Sequence, residues 1–267
     1  MAIHPTAVLH PSLDLPADLE VGPFSVVDAG VSLATGVRIG PFCHLYPGVT
    51  LAQDVRLEDG VILGNTPQDL KYRGESTGVL IGAGTHLREY VTVNRGTSVS
   101  GLTVLGKRCL IMAYTHVAHD CEIGDQAVVA NWVQMGGHVR IGGGAVVSGL
   151  TGIHQYTAIG AGAFIGGGLR VDKDVLPFSK ALGDPLRFAG LNEMGITKFP
   201  AFGGSGAALK AFYRGLAAEG KQAAIARLAS RSVPGLDRGL ADILAAFLGD
   251  QRRGLLMRQA PGGGGTR

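Results

Sequence analysis

A hydrophobic residue recurs at every sixth position through the first two thirds of this chain. Steps of six from Ile3 to Val171 visit 29 positions, and 27 of them hold Leu, Ile, Val or Met. This period matches neither the 3.6 residues of an α-helical turn nor the two-residue alternation of an ordinary strand. It predicts a parallel β-helix, in which each short strand points one aliphatic side chain into the interior.

Glycine supplies a second period of 18 residues, which makes three hexads one coil of a triangular prism. It relates Gly106, Gly124, Gly142 and Gly160, and also the pairs Gly22 with Gly40 and Gly64 with Gly82. The pattern predicts about nine coils over residues 1–173. Residues 18 apart should stack, so we expect Gly137 above His119 and His138 above Asp120.

The six-residue register fails at two neighbouring positions, Asp69 and Glu75. We therefore expect an excursion loop near residues 64–79. A second loop is expected near 94–103, in "NRGTSVSG", although Val99 keeps the phase. Long loops of a solenoid often lie beside its binding site.

After Val171 the hexads stop, and apolar residues recur three and four apart in "AALKAFYRGLAAEG", "AAIARLAS" and "LADILAAFLGDQ". This spacing predicts amphipathic helices. Residues 174–267 are therefore expected to form a C-terminal helical domain that covers one end of the prism. The final "PGGGGTR" is expected to be a disordered tail from about residue 260.

Composition argues against several classes of protein. The net charge of +3 comes without a block of basic residues, which disfavours nucleic acid as a partner. The N-terminus resembles no signal peptide and no stretch is long and apolar enough to span a bilayer, so we expect no stable membrane insertion. Three unpatterned cysteines suit reduced thiols in a cytoplasmic protein. No metal or redox cofactor is expected.

One short stretch, "AYTHVAHDCEIG", carries His116, His119 and Asp120 close together. A histidine beside an aspartate can act as a general base, and a glycine stacked above it leaves room and a backbone N–H for an oxyanion. These residues favour acyl transfer. Two other interpretations stay open: surface or stacking histidines, and a zinc site of the kind found in hexapeptide-repeat carbonic anhydrases.

Six motifs resemble those of UDP-N-acetylglucosamine acyltransferases: "QDLKYRGE", "NRGT", "HVAHDC", "GGHVRIG", "HQY" and "RGLLMR". The resemblance implies a mainly β fold, a left-handed parallel β-helix with C-terminal helices, assembled as a homotrimer with active sites between prisms. It also implies the first step of lipid A synthesis. A 3-hydroxyacyl chain would pass from acyl carrier protein to the 3-position of UDP-N-acetylglucosamine.

The resemblance assigns roles to particular residues. His119 corresponds to the general base, Asp120 to its partner and the N–H of Gly137 to the oxyanion donor, while Gly167 corresponds to the position that measures acyl length. The positions that contact substrate are Gln68, Asp69, Lys71, His116, His138, His154, Gln155 and Asn192. No serine or cysteine nucleophile stands at a matched position, so we expect direct transfer without an acyl-enzyme.

The chain departs from the family pattern at Asn94, Lys198, Phe199 and Pro185. Basic residues near the groove are expected to attract an acidic carrier protein. The candidates are Lys71, Arg73, Arg170 and Lys173. Three alternatives remain: the same transfer to the amine of a 3-amino UDP-sugar, a zinc-dependent hydratase, and a non-catalytic binding or assembly module.

Overall fold

The structure, a computed structural model, describes residues 1–250 and 253–257. Up to Val171 the chain forms 25 short strands. They are β1 (Ala2–Ile3), β2 (Val8–Leu9), β3 (Glu20–Val21), β4 (Val26–Val27), β5 (Ser32–Leu33), β6 (Arg38–Ile39), β7 (His44–Leu45), β8 (Val49–Leu51), β9 (Arg56–Leu57), β10 (Ile62–Asn65), β11 (Gly78–Ile81), β12 (His86–Leu87), β13 (Thr92–Asn94), β14 (Leu102–Leu105), β15 (Leu110–Ile111), β16 (His116–Val117), β17 (Glu122–Ile123), β18 (Val128–Val129), β19 (Gln134–Met135), β20 (Arg140–Ile141), β21 (Val146–Val147), β22 (Gly152–Ile153), β23 (Ala158–Ile159), β24 (Phe164–Ile165) and β25 (Arg170–Val171).

These strands build the three faces of a prism, which the chain visits in turn. The first face contains β1, β3, β6, β9, β12, β15, β18, β21 and β24; the second contains β2, β4, β7, β10, β13, β16, β19, β22 and β25; the third contains β5, β8, β11, β14, β17, β20 and β23. All neighbouring strands among them are parallel, as in His116↔Gln134 and Val117↔Met135. The predicted parallel β-helix is confirmed.

The aliphatic residues of the six-residue register fill the interior. Leu45, Leu63, Leu105 and Ile111 are each 0% exposed. By contrast, Val99 is 72% exposed although it keeps the phase. The register therefore marks inward positions only where the chain is in the prism.

The two loops have different lengths and break the 18-residue stacking locally. Leu63 pairs with Val93, 30 positions later, because the loop at 66–77 adds twelve residues to a coil. Val93 pairs with Val117, 24 positions later, because the loop at 95–101 adds six. The predicted stacking of Gly64 and Gly82 is wrong for this reason, since they lie on the second and third faces, respectively. From β14 to β25 the 18-residue spacing holds.

The corners of the prism are mostly two-residue turns with one repeated geometry. The second residue has a positive φ, and its N–H donates to the carbonyl of the turn one coil earlier, as Phe42 does to Pro23 at 3.0 Å. The N–H of the first turn residue makes no such backbone bond. Proline, which has no N–H, is therefore tolerated there, for example at Pro23 and Pro41.

Both loops leave the prism at the same corner, between the second and third faces. The turns at 119–120, 137–138 and 155–156 lie at this corner too. We call these turns and the loops 66–77 and 95–101 the histidine corner. The chain's topology thus brings both excursions to the side of the prism that carries His119.

Beyond the coils, β26 (Ser179–Leu182) extends the first face and β27 (Arg187–Leu191) pairs with it antiparallel. The periodicity had not indicated this hairpin. The helices are α1 (Glu193–Thr197), a 3-10 turn (Pro200–Phe202), α2 (Gly206–Glu219), α3 (Lys221–Ala229) and α4 (Arg238–Gly249). They share a second core that includes Phe178, Phe202, Leu209, Phe212 and Leu244. Not one of the described helices has the length and apolarity to cross a membrane.

The segment 253–257 returns to the prism and binds Asp174, which is 0% exposed. The carboxylate of Asp174 accepts the N–H of Ala158 at 2.7 Å and that of Arg253 at 3.1 Å. The N–H of Leu256 donates to the Asp174 carbonyl at 2.8 Å. The "RGLL" motif thus fastens the chain to the last coil. The tail expected from about residue 260 lies outside the described residues.

Candidate active site

His119 and Asp120 form the turn that follows β16 at the histidine corner. Asp120 has a φ of +58°, so the turn lets two consecutive side chains reach the same side. Nδ1 of His119 lies 2.7 Å from Oδ2 of Asp120. A straight strand would have sent these neighbours to opposite faces.

The loop at 95–101 surrounds the Asp120 carboxylate with donors. Oδ1 accepts the N–H of Thr97 at 3.0 Å and both the N–H and the hydroxyl of Ser100. Oδ2 accepts the Thr97 hydroxyl at 2.7 Å. Burial of this side chain favours the neutral acid, but the hydrogen bonds from Ser100, His119 and Thr97 outweigh it and lower the pKa of Asp120 to about 2.

An ionised Asp120 fixes the tautomer of His119. The carboxylate accepts a hydrogen bond from Nδ1–H, which leaves Nε2 as the acceptor. The side chain of His119 keeps 12% of its surface exposed, whereas that of Asp120 keeps none. His119 is therefore the partly exposed member of the pair, with Nε2 as its basic nitrogen, and Asp120 is the buried charge.

Gly137 lies directly against the free edge of this imidazole. A Cβ on Gly137 would lie 2.5 Å from Nε2 of His119 and closer still to Cε1, so any other residue here would displace the imidazole. Gly137 is the first residue of its turn, and no hydrogen bond from its N–H is found within the described part of the chain. Gly137, which lies against Nε2 of His119, therefore has a backbone N–H that can donate to a ligand.

His138 and Tyr156 continue the cluster along the corner. The His138 ring meets His119 edge-on, with centroids 5.1 Å apart, and stacks on Tyr156 at 4.5 Å. Nε2 of His138 lies 3.7 Å from Oδ2 of Asp120.

Possible metal-ligand atoms of His119, Asp120 and His138 lie within 4.8 Å of one another. The sequence spacing had not indicated this convergence. Hydrogen bonds already occupy both oxygens of Asp120, which weighs against a cation at this point.

His116 and His154 lie on the second face beside the corner. Nδ1 of His116 is 2.8 Å from the Thr92 hydroxyl, and burial together with the nearby His119 lowers the pKa of His116. Nδ1 of His154 lies 3.1 Å from the Gln155 carbonyl, and the Gln155 side chain is exposed. Neither histidine shares the Asp120 carboxylate.

The remaining candidate residues occupy three places. Gln68, Asp69 and Lys71 lie on the loop 66–77, where Oδ1 of Asp69 accepts the Lys71 N–H at 2.9 Å. Gly167 lies across the second face from the histidine corner, where its missing Cβ would lie 3.2 Å from the Gly149 carbonyl. Asn192 is buried near the last coil, and its amide donates to the Gly162 carbonyl at 2.8 Å.

The departures from the family pattern are part of the local packing. Asn94 is 5% exposed and donates to the Thr66 carbonyl at 3.0 Å; its Oδ1 has no partner among the described residues. Lys198 donates to the Gly144 carbonyl at 3.1 Å, and the Phe199 ring packs on Gly144. Pro185 lies between the two strands of the hairpin.

Sequence reasoning missed the residues that support the dyad. It placed "NRGTSVSG" near the site but did not single out Thr97, Ser100 or Thr103, whose hydroxyl accepts the Asp120 N–H at 2.9 Å. It also missed Tyr156. Hydroxyl residues in a loop beside a buried acid were the available signal, because such an acid needs donors.

Together these groups can perform general-base chemistry on a carbonyl. Nε2 can remove a proton, Asp120 can stabilise the imidazolium that results, and the N–H of Gly137 can donate to a developing oxyanion.

Comparison with known proteins points to one family. Residues 102–137 match the family described as "Bacterial transferase hexapeptide (six repeats)". The acyl-[acyl-carrier-protein]–UDP-N-acetylglucosamine O-acyltransferase of Alkalilimnicola ehrlichii is 41% identical over 259 residues, which cover 95% of this chain and 98% of the relative. The enzyme of that name from a Sulfurihydrogenibium species is 61% identical over 73% of each chain.

Solved structures agree. LpxA from Acinetobacter baumannii superposes with a TM-score of 0.88 at 31% identity, covering 96% of this chain and all of that one. The UDP-N-acetylglucosamine acyltransferase of Bacteroides fragilis gives 0.86 at 29% identity, over 94% and 98% of the two chains. The fold is the left-handed parallel β-helix with a C-terminal helical region, and the chain belongs to the acyl-[acyl-carrier-protein]–UDP-N-acetylglucosamine O-acyltransferase family.

Proposed function

We propose that this protein transfers a 3-hydroxyacyl chain from acyl carrier protein to the 3-hydroxyl of UDP-N-acetylglucosamine, the first step of lipid A synthesis. The observation that carries the proposal is the orientation of His119. A buried, ionised Asp120 holds Nδ1, so Nε2 is left as the base.

In this reaction Nε2 of His119 takes the proton of the sugar hydroxyl as its oxygen attacks the thioester carbon. Asp120 stabilises the imidazolium, and the N–H of Gly137 stabilises the tetrahedral oxyanion. Collapse of that intermediate breaks the carbon–sulfur bond. The proton held by His119 then passes to the departing thiol of the carrier, which returns the base to its starting form.

Transfer is direct, without an acyl-enzyme. The thiol of Cys121 is the nearest in sequence to the dyad, and it is 0% exposed. Burial raises its pKa to about 12 and that of Cys43 to about 11, and it also raises the pKa of Cys109. The nucleophilic thiolate is therefore suppressed in all three cysteines.

In this proposal most substrate contacts lie along the histidine corner. His138 borders the base, His116 and His154 lie on the adjoining face, and the nucleotide sugar extends from them toward the loop 66–77 and Gln155. We assign Gln68, Asp69 and Lys71 on that loop to substrate as well, and also Asn192, which lies away from the histidine corner beside Gly162. Gly167 limits the acyl chain, which therefore runs across the second face.

The protein acts as a homotrimer in this proposal. The corner between the first and second faces carries a seam of exposed apolar side chains, which we call the aromatic corner: Phe24, Phe42, Tyr90, Tyr114, Trp132 and Leu150. Their exposure ranges from 43% for Tyr114 to 71% for Leu150. Leu70, on the loop 66–77, is 96% exposed. A second copy of the chain would cover such a seam.

The carrier protein approaches basic residues on the second face beside the histidine corner. Arg170 is exposed in β25 on the second face, and Lys173 follows it toward the histidine corner. Both attract an acidic partner. We place the reaction in the cytoplasm.

The test is acyl transfer by the purified protein with UDP-N-acetylglucosamine and 3-hydroxyacyl carrier proteins of several lengths. His119→Ala should lower kcat by about 10²- to 10⁴-fold, because general-base catalysis contributes this much. His86→Ala is the matched control, since His86 also bonds a carboxylate, that of Glu58, but lies on the first face.

Each other outcome has a distinct meaning. Transfer that occurs only to the 3-amino UDP-sugar would replace the acceptor and keep the mechanism. Loss of activity on addition of a chelator would contradict the metal-free base. An unchanged rate in His119→Ala would overturn the assignment of the base.

A further inference from the structure

A repeated hydrogen bond holds the prism's coils together at their corners. At seven of the described turns, the residue after the turn is a buried Ser, Thr or Cys, and its side chain donates to the carbonyl that precedes the turn of the next coil. The pairs are Ser25 with Gly40, Cys43 with Glu58, Thr85 with Gly106, Cys109 with Gly124, Thr115 with Ala130, Cys121 with Gly136 and Thr151 with Gly166.

Of these seven bonds, only that of Cys121 lies at the histidine corner. Its Sγ is 3.3 Å from the carbonyl oxygen of Gly136. That carbonyl belongs to the Gly136–Gly137 peptide, whose N–H is the oxyanion donor in the proposed function. Gly137 itself lies against Nε2 of His119.

Other bonds fix the backbone on both sides of this peptide. The N–H of Gly136 donates to the Ile153 carbonyl at 2.9 Å, and the Gly137 carbonyl accepts the N–H of Tyr156 at 3.0 Å. With Cys121 on the Gly136 carbonyl, the N–H of Gly137 is the group left for a ligand among the described atoms of these two residues. The thiol is thus one of three contacts that orient this donor.

We infer that Cys121 is a positioning residue for the acyl transfer, which sets the plane of the Gly136–Gly137 peptide and strengthens its N–H as a donor. A carbonyl that accepts a hydrogen bond polarises the N–H of the same amide. An oxyanion donor also depends on its aim. This role needs the protonated thiol, and it rests on the proposed function of the Gly137 N–H.

Two nearly isosteric variants of Cys121 separate the effect of its hydrogen bond from the effect of its shape. Cys121→Thr supplies a hydroxyl, and Thr115 and Thr151 already make this bond in other coils, at 3.0 and 3.1 Å. Cys121→Val has the shape of threonine without the hydroxyl. We expect kcat of the Val variant to be about three- to tenfold below that of the Thr variant, the range that one net hydrogen bond supplies. KM for both substrates should agree within about twofold.

Cys109 provides the control pair. It makes the same bond, 3.3 Å to Gly124, at the corner between the third and first faces. Cys109→Thr and Cys109→Val should differ in thermal stability as the Cys121 pair does, and should have equal kcat. A pH–rate profile completes the test, because the base and its Asp120 partner are unchanged and the apparent pKa of activity should be the same in both Cys121 variants.

Three results would overturn the inference. They are equal kcat in Cys121→Thr and Cys121→Val, an equal kcat difference within the Cys109 pair, and a shift of the pH profile, which would mean that Cys121 acts on the dyad. Failure of the proposed function would be visible in the wild type, as absence of transfer or independence from His119. Failure of this inference alone would leave acyl transfer by the wild type, and its dependence on His119, intact.

Discussion

The histidine corner and the aromatic corner use the same backbone turn for different purposes. At the second turn position, φ is 58° at Asp120, 60° at His138 and 64° at Tyr156. At the aromatic corner it is 61° at Tyr114 and 63° at Trp132. One corner carries a buried acid and two imidazoles, whereas the other carries a ladder of aromatic rings with centroids 4.6 to 5.1 Å apart.

The two corners share one turn geometry but carry different side chains, so the turn itself determines neither the acid–imidazole cluster nor the aromatic ladder. Among the corners that the structure describes, only the histidine corner has inserted loops, and the loop 95–101 supplies the donors that keep Asp120 ionised. The aromatic corner needs no such hydrogen-bond donors, because its apolar rings require only a partner surface that excludes water.

The largest expected effect is on the dyad. Asp120→Asn should lower kcat by about 100-fold or more, because the amide cannot accept from Nδ1–H with a full charge and cannot stabilise an imidazolium. Asp125→Asn is the matched control, since Asp125 also accepts a backbone N–H, that of Lys107, at a different corner. Steady-state kinetics measure both. A loss below about threefold would remove Asp120 from the mechanism.

A substitution at the aromatic corner should instead change self-association. Trp132→Glu places a charge in the seam and should weaken self-association by at least about tenfold, since an unpaired charge is costly to bury. Gln126→Glu adds the same charge at the same turn position, with φ of 60°, at the remaining corner. Sedimentation at several concentrations compares them. Equal association of the two variants would show that the seam is not an interface.

Removing the loop donors tests why the two corners differ. Thr97→Val with Ser100→Ala leaves Asp120 buried with fewer hydrogen bonds, so its pKa should rise from about 2 toward or above its ordinary value of 3.8. A carboxylate with a depressed pKa stabilises the fold above the unfolded value, and that contribution is lost as pH falls toward the folded value. The double variant should therefore be less stable than the wild type near neutral pH, and the stability that the wild type loses through Asp120 as pH falls from about 3.8 to about 2 should be reduced or absent.

The measurements are carbon NMR of the Asp120 carboxyl and thermal unfolding between about pH 2 and 5. We also expect kcat to fall by about tenfold near neutral pH, because the loop no longer holds the dyad. An unchanged carboxyl titration would show that burial among other groups, and not the loop, holds the charge.

The smallest effect concerns the carrier protein. Arg170→Glu with Lys173→Glu should raise KM for the acyl carrier protein by about threefold at low salt, and the effect should fade as salt screens the charges. Arg56→Glu, on the first face, is the control. A rate that stays unchanged at low salt would exclude these two residues from docking.

The sequence predicted the prism because each six-residue period of aliphatic residues corresponds to one face, and three periods make one coil. The glycine period misled at one pair: Gly64 and Gly82 keep an 18-residue spacing by chance, although the loop between them adds twelve residues to the coil. His119, Asp120 and Gly137 were accessible from stacking and resemblance. Thr97 and Ser100 were not, because a loop outside the repeat has no register from which contacts can be read.

The attachment of residues 253–257 to Asp174 has a consequence for the order of events during synthesis. Arg253 follows Asp174 by 79 positions. The last coil therefore keeps open backbone groups while the helices are being made, and a growing solenoid with an open end is prone to pair with other strands. Residues 253–257 cover that end. A nascent or truncated copy that lacks them should therefore expose an aggregation-prone edge.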